Sequence, residues 1–331
     1  MKTREAMTRA AIVLVFVIGS FMPSPLFAQK IKVGYWTSGF SLGFGTVMEQ
    51  MKFAEKEGLN VEWVKFAEVN GPTRAIVSNA IDVAFAAPST NSIGIAADGV
   101  PVKIVLATQI AEAQVVVLEG SPIKAVADLK GKKIGMSPPG SATHAITTAI
   151  LEHNFSIKPG EYSVAPGNEA QLVQFLIQKQ IDAGVLRSVT LAQMEEAKLR
   201  RLASVVDEWK KLTKSTAPPI LAVTIVYSDY LAKNPEAVAR FIAATRMALE
   251  YGSKNKQRVA EMLQKAANMN DDDARAYASQ WDGAYIATFE PQDIASLKRM
   301  REIVKAAGGA NKDAPDSAFD AGPYTRSKQI K

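Results

Sequence analysis

Between Lys132 and Glu152 the chain reads KKIGMSPPGSATHAITTAILE: a short apolar run, a Pro/Gly loop, then apolar residues returning at helical spacing. Lys133–Met136 is predicted as a buried strand. Ala142, Ala145, Ile146, Ala149 and Ile150 then share one face of a helix opening near Gly140–Ser141. The loop has no bulky charge and delivers Ser141, Ala142, Thr143 and His144 to the first turn of that helix. Free N–H groups and the positive end of the dipole make such a turn a seat for a carboxylate, sulfonate or phosphate oxygen. Taken alone, an ordinary strand–turn–helix connection with a serine cap is the simpler account.

The pattern occurs twice, at an offset of about a hundred residues. Lys32-Val33-Gly34 matches Lys133-Ile134-Gly135, and Gly39 matches Gly140. Ile81-Asp82-Val83-Ala84-Phe85 matches Ile181-Asp182-Ala183-Gly184-Val185. Each half therefore runs strand, Gly loop, helix, and later helix, Ile-Asp, strand, loop. Two similar α/β lobes with strand ends facing across a cleft are the expected result.

Further strands are predicted at Leu59–Phe66, Val102–Thr108, Gln114–Leu118, Tyr162–Ala165, near Leu202–Val206 and at Ala222–Tyr227. Helices alternate with them, the second loop polars Ala87–Asn91 being read as a loop before a helix over Ile93–Ala97. This alternation indicates lobes that are each a mostly parallel sheet flanked by helices. Ala217-Pro218-Pro219 is the clearest linker signal. The expected division is 29–113 for the first part of lobe 1, 114–218 for lobe 2 and 219–310 for the return to lobe 1. From Pro235 to about Ala307 the chain reads as helical, and 311–331 as a polar tail. A chain that leaves a lobe and comes back has two crossover segments, which is hinge architecture.

Residues 1–28 read as an export leader: Lys2, Arg4 and Arg9, an apolar run over Ala10–Met22, then Leu26-Phe27-Ala28 as a cleavage site. The chain has no cysteine, which excludes disulfides, thiolate metal sites, thiol nucleophiles and a lipidated mature terminus. The net charge of +6 is mild and scattered, without the basic runs and interleaved aromatics of a nucleic-acid binder. At 47% hydrophobic residues the chain can build a large core.

Few groups could carry chemistry. Gly39-Phe40-Ser41-Leu42-Gly43 is a formal G-x-S-x-G between a strand and a helix, so an exported serine hydrolase using Ser41 is one alternative. Such an enzyme needs a late histidine, whereas His144 and His153 both precede the middle of the chain. No spacing suggests a metal site, and no cofactor is expected. Asp82 and Asp182 precede strands on the side away from the cleft and read as structural. Asp271-Asp272-Asp273 reads as the acidic first turn of a helix. For binding, Trp36 and Phe40 flank the first Gly loop as candidate apolar walls. Thr37, Ser38, Pro88, Ser89 and Thr90 follow strand ends, where clefts collect hydrogen-bonding groups; Asn168 and Glu169 do the same in lobe 2, or cap the helix there. Arg187, after the second Ile-Asp strand, is a candidate clamp for a carboxylate or sulfonate.

Several phrases carry a family resemblance: Lys32–Trp36 with Gly39, Asn79–Pro88, Ser137–Leu151, and Val226-Tyr227-Ser228 with Asn234-Pro235-Glu236-Ala237-Val238 and Phe241. Together they resemble the nitrate/sulfonate/taurine group of periplasmic solute-binding proteins that feed ABC importers. The resemblance spans about Ile31 to Gly309. It implies the type II periplasmic binding fold, no catalysis, a monomer without cofactor, a small organic anion in the cleft and an inner-membrane ABC permease as partner. Relatives often have an aromatic–proline pair where this chain has Leu186-Arg187-Ser188, which bears on ligand class. A binding protein for a thiamine-pyrimidine precursor is a further alternative on the same fold. Preference for a cation would instead bring Glu68, Glu112 and Glu169 forward.

Overall fold

The computed structural model describes residues 29–37, 39–139, 141–194, 198–306 and 312–330. The leader, Ser38 and Gly140 lie outside the described residues.

Among the described residues, eleven strands form two sheets, and each sheet belongs to one lobe. The first contains β1 (Gln29–Trp36), β2 (Leu59–Phe66), β3 (Val83–Pro88), β4 (Val102–Ile110), β10 (Ile220–Tyr227) and β11 (Tyr285–Thr288), ordered β11-β4-β10-β3-β1-β2. The second contains β5 (Gln114–Leu118), β6 (Lys133–Met136), β7 (Ser163–Pro166), β8 (Ala183–Leu186) and β9 (Leu199–Ser204), ordered β7-β6-β8-β5-β9. Strands β3, β4 and β10 are buried along nearly their whole length because helices cover both faces, so they read as continuous apolar runs.

Most strands within a lobe run the same way, as expected; the exceptions are β5 and β10, which carry the crossovers, and the edge strand β11, which pairs antiparallel with β4. Pairs β1–β2, β1–β3, β6–β7 and β6–β8 are parallel. The chain enters lobe 2 on β5 and leaves it for lobe 1 on β10, and both insert antiparallel to their neighbours. The two crossovers lie side by side, Ala111 N donating to Pro219 O at 2.8 Å.

The sequence repeat is a repeat of contacts. Asp82 accepts from Lys32 N at 2.8 Å, and Asp182 accepts from Lys133 N at 2.8 Å. A methyl group at Gly34 would meet Ile81 Cδ1 at 2.6 Å, and one at Gly135 would meet Ile181 Cδ1 at 2.4 Å. Both aspartates thus tie the start of one strand to its neighbour, and both glycines leave room for an isoleucine above the sheet.

Four segments depart from the expected pattern. Tyr285–Thr288 interrupts the C-terminal helices as β11, an edge strand whose four residues are too few to show alternation. Val205–Thr213 is a helix, capped by Ser204 and anchored by the fully buried Trp209, whose Nε1 donates to Ser296 Oγ at 3.3 Å. The helix predicted over Ile93–Ala97 begins at Ser89, directly after Pro88. Residues 312–330, read as a polar tail, pack on lobe 1: Phe319 bridges to Ile104, and Tyr324 and Ser327 are buried. Two buried aromatic residues in a polar stretch carry too little periodicity to be seen.

An aromatic chain fixes the first Gly loop. Phe44 packs edge-on to Phe85 at 5.2 Å and Trp281 at 5.6 Å, and Phe85 to Phe241 at 5.7 Å. These rings hold the helix Gly39–Gln50 with its N-terminus toward lobe 2.

Candidate functional site

A cavity of about 600 Å³ lies between the lobes, walled from both sides. Lobe 1 supplies Trp36, Phe40, Ser41, Val69, Asn70, Ala86, Pro88, Thr90, Asn91, Gly94, Gln109, Leu221 and Ala222. Lobe 2 supplies Ser137, Pro138, Pro139, Ser141, Ala142, Thr143, His144, Ala145 and Arg187. The size suits a small organic ligand. A second cavity, of about 550 Å³, lies on lobe 1 away from this gap; its Glu250 and Asp282 are already ion-paired with Lys254 and Lys256.

Three helices turn their first residues to the interlobe cavity. Phe40 and Ser41 open Gly39–Gln50, Thr90 and Asn91 open Ser89–Ala97, and Ala142–Ala145 open Ala142–Phe155. Their N-termini give the cavity a positive bias. Ser141 caps the third, its Oγ accepting from His144 N at 3.2 Å, and its hydroxyl proton is left over for a ligand.

Gly39 shapes the entrance. Its φ of +53° favours glycine, and a Cβ there would sit 2.7 Å from the Trp36 ring. Trp36 lies against this glycine, its Nε1 donating to Ala67 O at 3.1 Å, and forms part of the wall. The carbonyls of Gly39 and Phe40 accept from the hydroxyls of Tyr277 and Tyr285, the latter bond being 2.6 Å. Burial holds both phenols well above their ordinary pKa, so they remain donors.

Arg187 is the one cavity-lining side chain with a permanent charge among the described residues, and no carboxylate lines the cavity. Its guanidinium lies 5.3 Å from the centroid of Phe40. Glu169 holds it from behind: Nε is 3.6 Å from Oε1, while Oε2 accepts from Arg187 N at 3.2 Å and Thr190 Oγ1 at 2.7 Å. Glu169 thereby offsets part of the Arg187 charge but leaves both Nη groups without a partner among the described residues, open for a forked contact.

His144 is half-buried, and burial lowers its pKa against the opposing pull of its bond to Ser137 O. That bond is 3.2 Å from Nδ1. A carbonyl oxygen only accepts, so Nδ1 carries the proton and Nε2 of the neutral ring is an acceptor.

Several residues expected at the site do other work. Thr37 folds back on Phe66 O, with Oγ1 at 3.0 Å. Ser89 is fully buried, donating to Ile220 O at 2.7 Å, because the helix begins one residue after Pro88 and turns this side chain inward. Asn168 caps the helix Glu169–Ile177 in a reciprocal pair with Gln171, and Glu169 supports Arg187. None of these four lines the cavity. Trp36, Phe40, Pro88, Thr90, Ser141, Ala142, Thr143, His144 and Arg187 do line it.

Ser41 lines the cavity without nucleophile geometry. It is the third residue of its helix, donates to Ala86 O at 3.0 Å and accepts from Gln109 Nε2 at 3.3 Å, and no histidine is hydrogen-bonded to it. Ala86 holds a left-handed φ of +51° where β3 bulges against β10, which aims its carbonyl at Ser41. Gln109, Asn70, Val69, Leu221 and Ala222 also line the cavity, though the sequence pattern does not single them out as site residues. Gln109 carried one signal, an amide next to the last residue of a mostly apolar strand.

Two α/β lobes joined by paired crossovers, with a walled cavity between them, define the fold of periplasmic binding proteins. The chain belongs to the NMT1/THI5-like family, which it matches over residues 47–258. Among solved structures, it resembles the periplasmic aliphatic sulphonate binding protein SsuA of Escherichia coli with a TM-score of 0.74 and 18% identity, over 88% of this chain and 92% of that one. It also resembles the alkanesulfonate-binding SsuA of Xanthomonas axonopodis pv. citri bound to MOPS, with a TM-score of 0.68 and 15% identity, over 88% and 98%. In sequence it is 26% identical over 253 residues to a Brucella abortus protein named "Putative binding protein", covering 74% of this chain and 75% of that one.

Proposed function

We propose that this chain is an exported solute-binding protein that captures a small organic anion between its lobes and delivers it to an inner-membrane ABC permease. One observation carries the charge assignment: a cavity fed by three helix N-termini and Arg187, with no carboxylate in its wall among the described residues. Arg187 and the first turn at Ser141–Thr143 hold the anionic head, and Trp36 and Phe40 cover the apolar body. Family membership and the sulfonate-binding relatives of like fold support sulfonates first, with carboxylates and nitrate as the other classes.

The lobes divide at the crossovers, 29–113 with 219–310 against 114–218, and close about the Ala111–Pro219 contact. The chain acts as a monomer, without chemistry on its guest, in the periplasm to which its leader sends it. Thermal-shift screening of the leader-free protein tests this reading against sulfonates, carboxylates, nitrate, pyrimidines and cationic solutes. An anion at about a hundred times its Kd is expected to stabilise by about 2.7 kcal/mol. Shifts with cations alone would reverse the charge assignment.

A further inference from the structure

Gln109 sits at the end of β4, beneath the cavity, with 2% of its surface exposed. Its amide has only one possible orientation. Ser41 has a single hydroxyl proton, and that proton goes to the Ala86 carbonyl at 3.0 Å. Toward Gln109, Ser41 can therefore only accept, so the group 3.3 Å away is the amide NH₂. The other end, Oε1, meets no donor among the described residues, yet it is not among the buried atoms sealed from the outside. Gln109 is one of the residues lining the cavity, and Oε1 is the end of its amide that Ser41 does not hold.

A second acceptor stands on the opposite lobe. The His144 Nδ1–H is committed to Ser137 O, which leaves Nε2 of the neutral ring with a lone pair and no partner among the described residues. The cavity thus offers two lone pairs besides its anion clamp. Among the described residues the wall holds Arg187 and no carboxylate, so none of them balances an ammonium group.

Resting on the anion reading above, we infer that the guest carries, besides its anionic head, an uncharged hydrogen-bond donor that Gln109 Oε1 accepts. The class is a hydroxyl- or amide-bearing organic anion. A purely alkyl anion leaves Oε1 unpaired when the lobes close over it. A zwitterion places a cation in a cavity already holding Arg187.

Matched probes separate the three cases. 2-Hydroxyethanesulfonate, 1-propanesulfonate and 2-aminoethanesulfonate differ at one terminal group, as do 4-hydroxybenzenesulfonate, 4-methylbenzenesulfonate and 4-(aminomethyl)benzenesulfonate. Titration of the leader-free protein is expected to show the hydroxyl member of at least one set binding about tenfold or more tighter than both partners. In Gln109→Met, with folding checked by circular dichroism, this advantage is expected to fall to within about twofold. Gln109→Glu is expected to move the preference toward the ammonium member. Equal affinities within both sets, or an advantage that survives in Gln109→Met, would overturn the inference while leaving the anion reading intact. Failure of every sulfonate and of the matched hydroxy-, alkyl- and amino-carboxylates would remove both.

Discussion

Glu112, in the first crossover, is bound to Ser188, the first residue of the lobe 2 helix that follows Arg187. Ser188 N donates to both carboxylate oxygens, at 3.2 and 3.1 Å, and Ser188 Oγ donates to Oε2 at 2.6 Å. One crossover residue therefore fixes the backbone next to the candidate anion clamp. The connection ties the first crossover to the segment that carries Arg187, whose other support, Glu169, comes from within lobe 2.

Burial pushes the Glu112 carboxyl upward and outweighs the lowering effect of the Ser188 bonds and of Arg187. Glu112 thus binds its proton more tightly in the folded chain than in the unfolded one. Its contribution to stability is full below about pH 4.3 and is lost as pH rises through the raised folded-state value. Melting temperatures of the wild type and Glu112→Gln between about pH 4 and pH 7 check this. The difference is expected to shift in favour of the glutamine variant as pH rises; a constant gap or the opposite trend would contradict it.

Arg187→Ala removes the forked donor, while Glu169 keeps its bonds from the backbone N–H at position 187 and from Thr190 Oγ1. Loss of one partner from a charged contact costs about 2–5 kcal/mol, so anion affinity is expected to fall by about thirtyfold or more. Arg187→Lys keeps the charge but loses the fork and the flat contact with Phe40, and is expected to bind at an intermediate level. Calorimetric titration of each variant with one sulfonate distinguishes these outcomes.

Gly39→Ala is expected to destabilise the chain by about 2–4 kcal/mol, combining a left-handed backbone with a Cβ pressed into Trp36. Gly99→Ala is the control: its φ is +89° but its Cβ would meet nothing within 4 Å. It is expected to cost only the backbone share, about 1–2 kcal/mol. Urea unfolding of both variants measures the gap, which reports the ring contact.

Gly135→Ala would drive a methyl against Ile181 Cδ1, at an expected cost of about 1–3 kcal/mol. Ile181→Val removes that atom at a cost of about 0.5–1.5 kcal/mol. The double variant is expected to be more stable than the sum of the single losses implies, since the two sites share one contact. Strict additivity in urea unfolding would show that the glycine is not there to admit the isoleucine.

That pair also shows why the fold was legible. Lys-X-Gly and Ile-Asp recur because each lobe needs a gap above the strand, an isoleucine to fill it and an aspartate to tie the strand start, at Asp82–Lys32 and Asp182–Lys133. Such requirements fix residue types locally and can be read from one chain. The cavity wall was legible where loops meet helices, at Trp36, Phe40, Pro88, Thr90, Ser141–His144 and Arg187. It was hidden at Gln109, Leu221 and Ala222, which belong to strands whose other residues are core and which turn to the cavity only through pairing of β4 with β10. Ser89 misled because its hydroxyl suits a cleft equally well as a buried bond to Ile220 O. Nothing local signalled which way it turns.

The central claim is that the interlobe cavity holds an organic anion through Arg187. Calorimetric titration of the leader-free wild type and of Arg187→Ala with the sulfonate giving the largest thermal shift tests it most directly. One site per chain, saturable and weakened by about thirtyfold or more in the variant, is the expected result. Equal affinity in both proteins, or binding of cationic solutes alone, would contradict it.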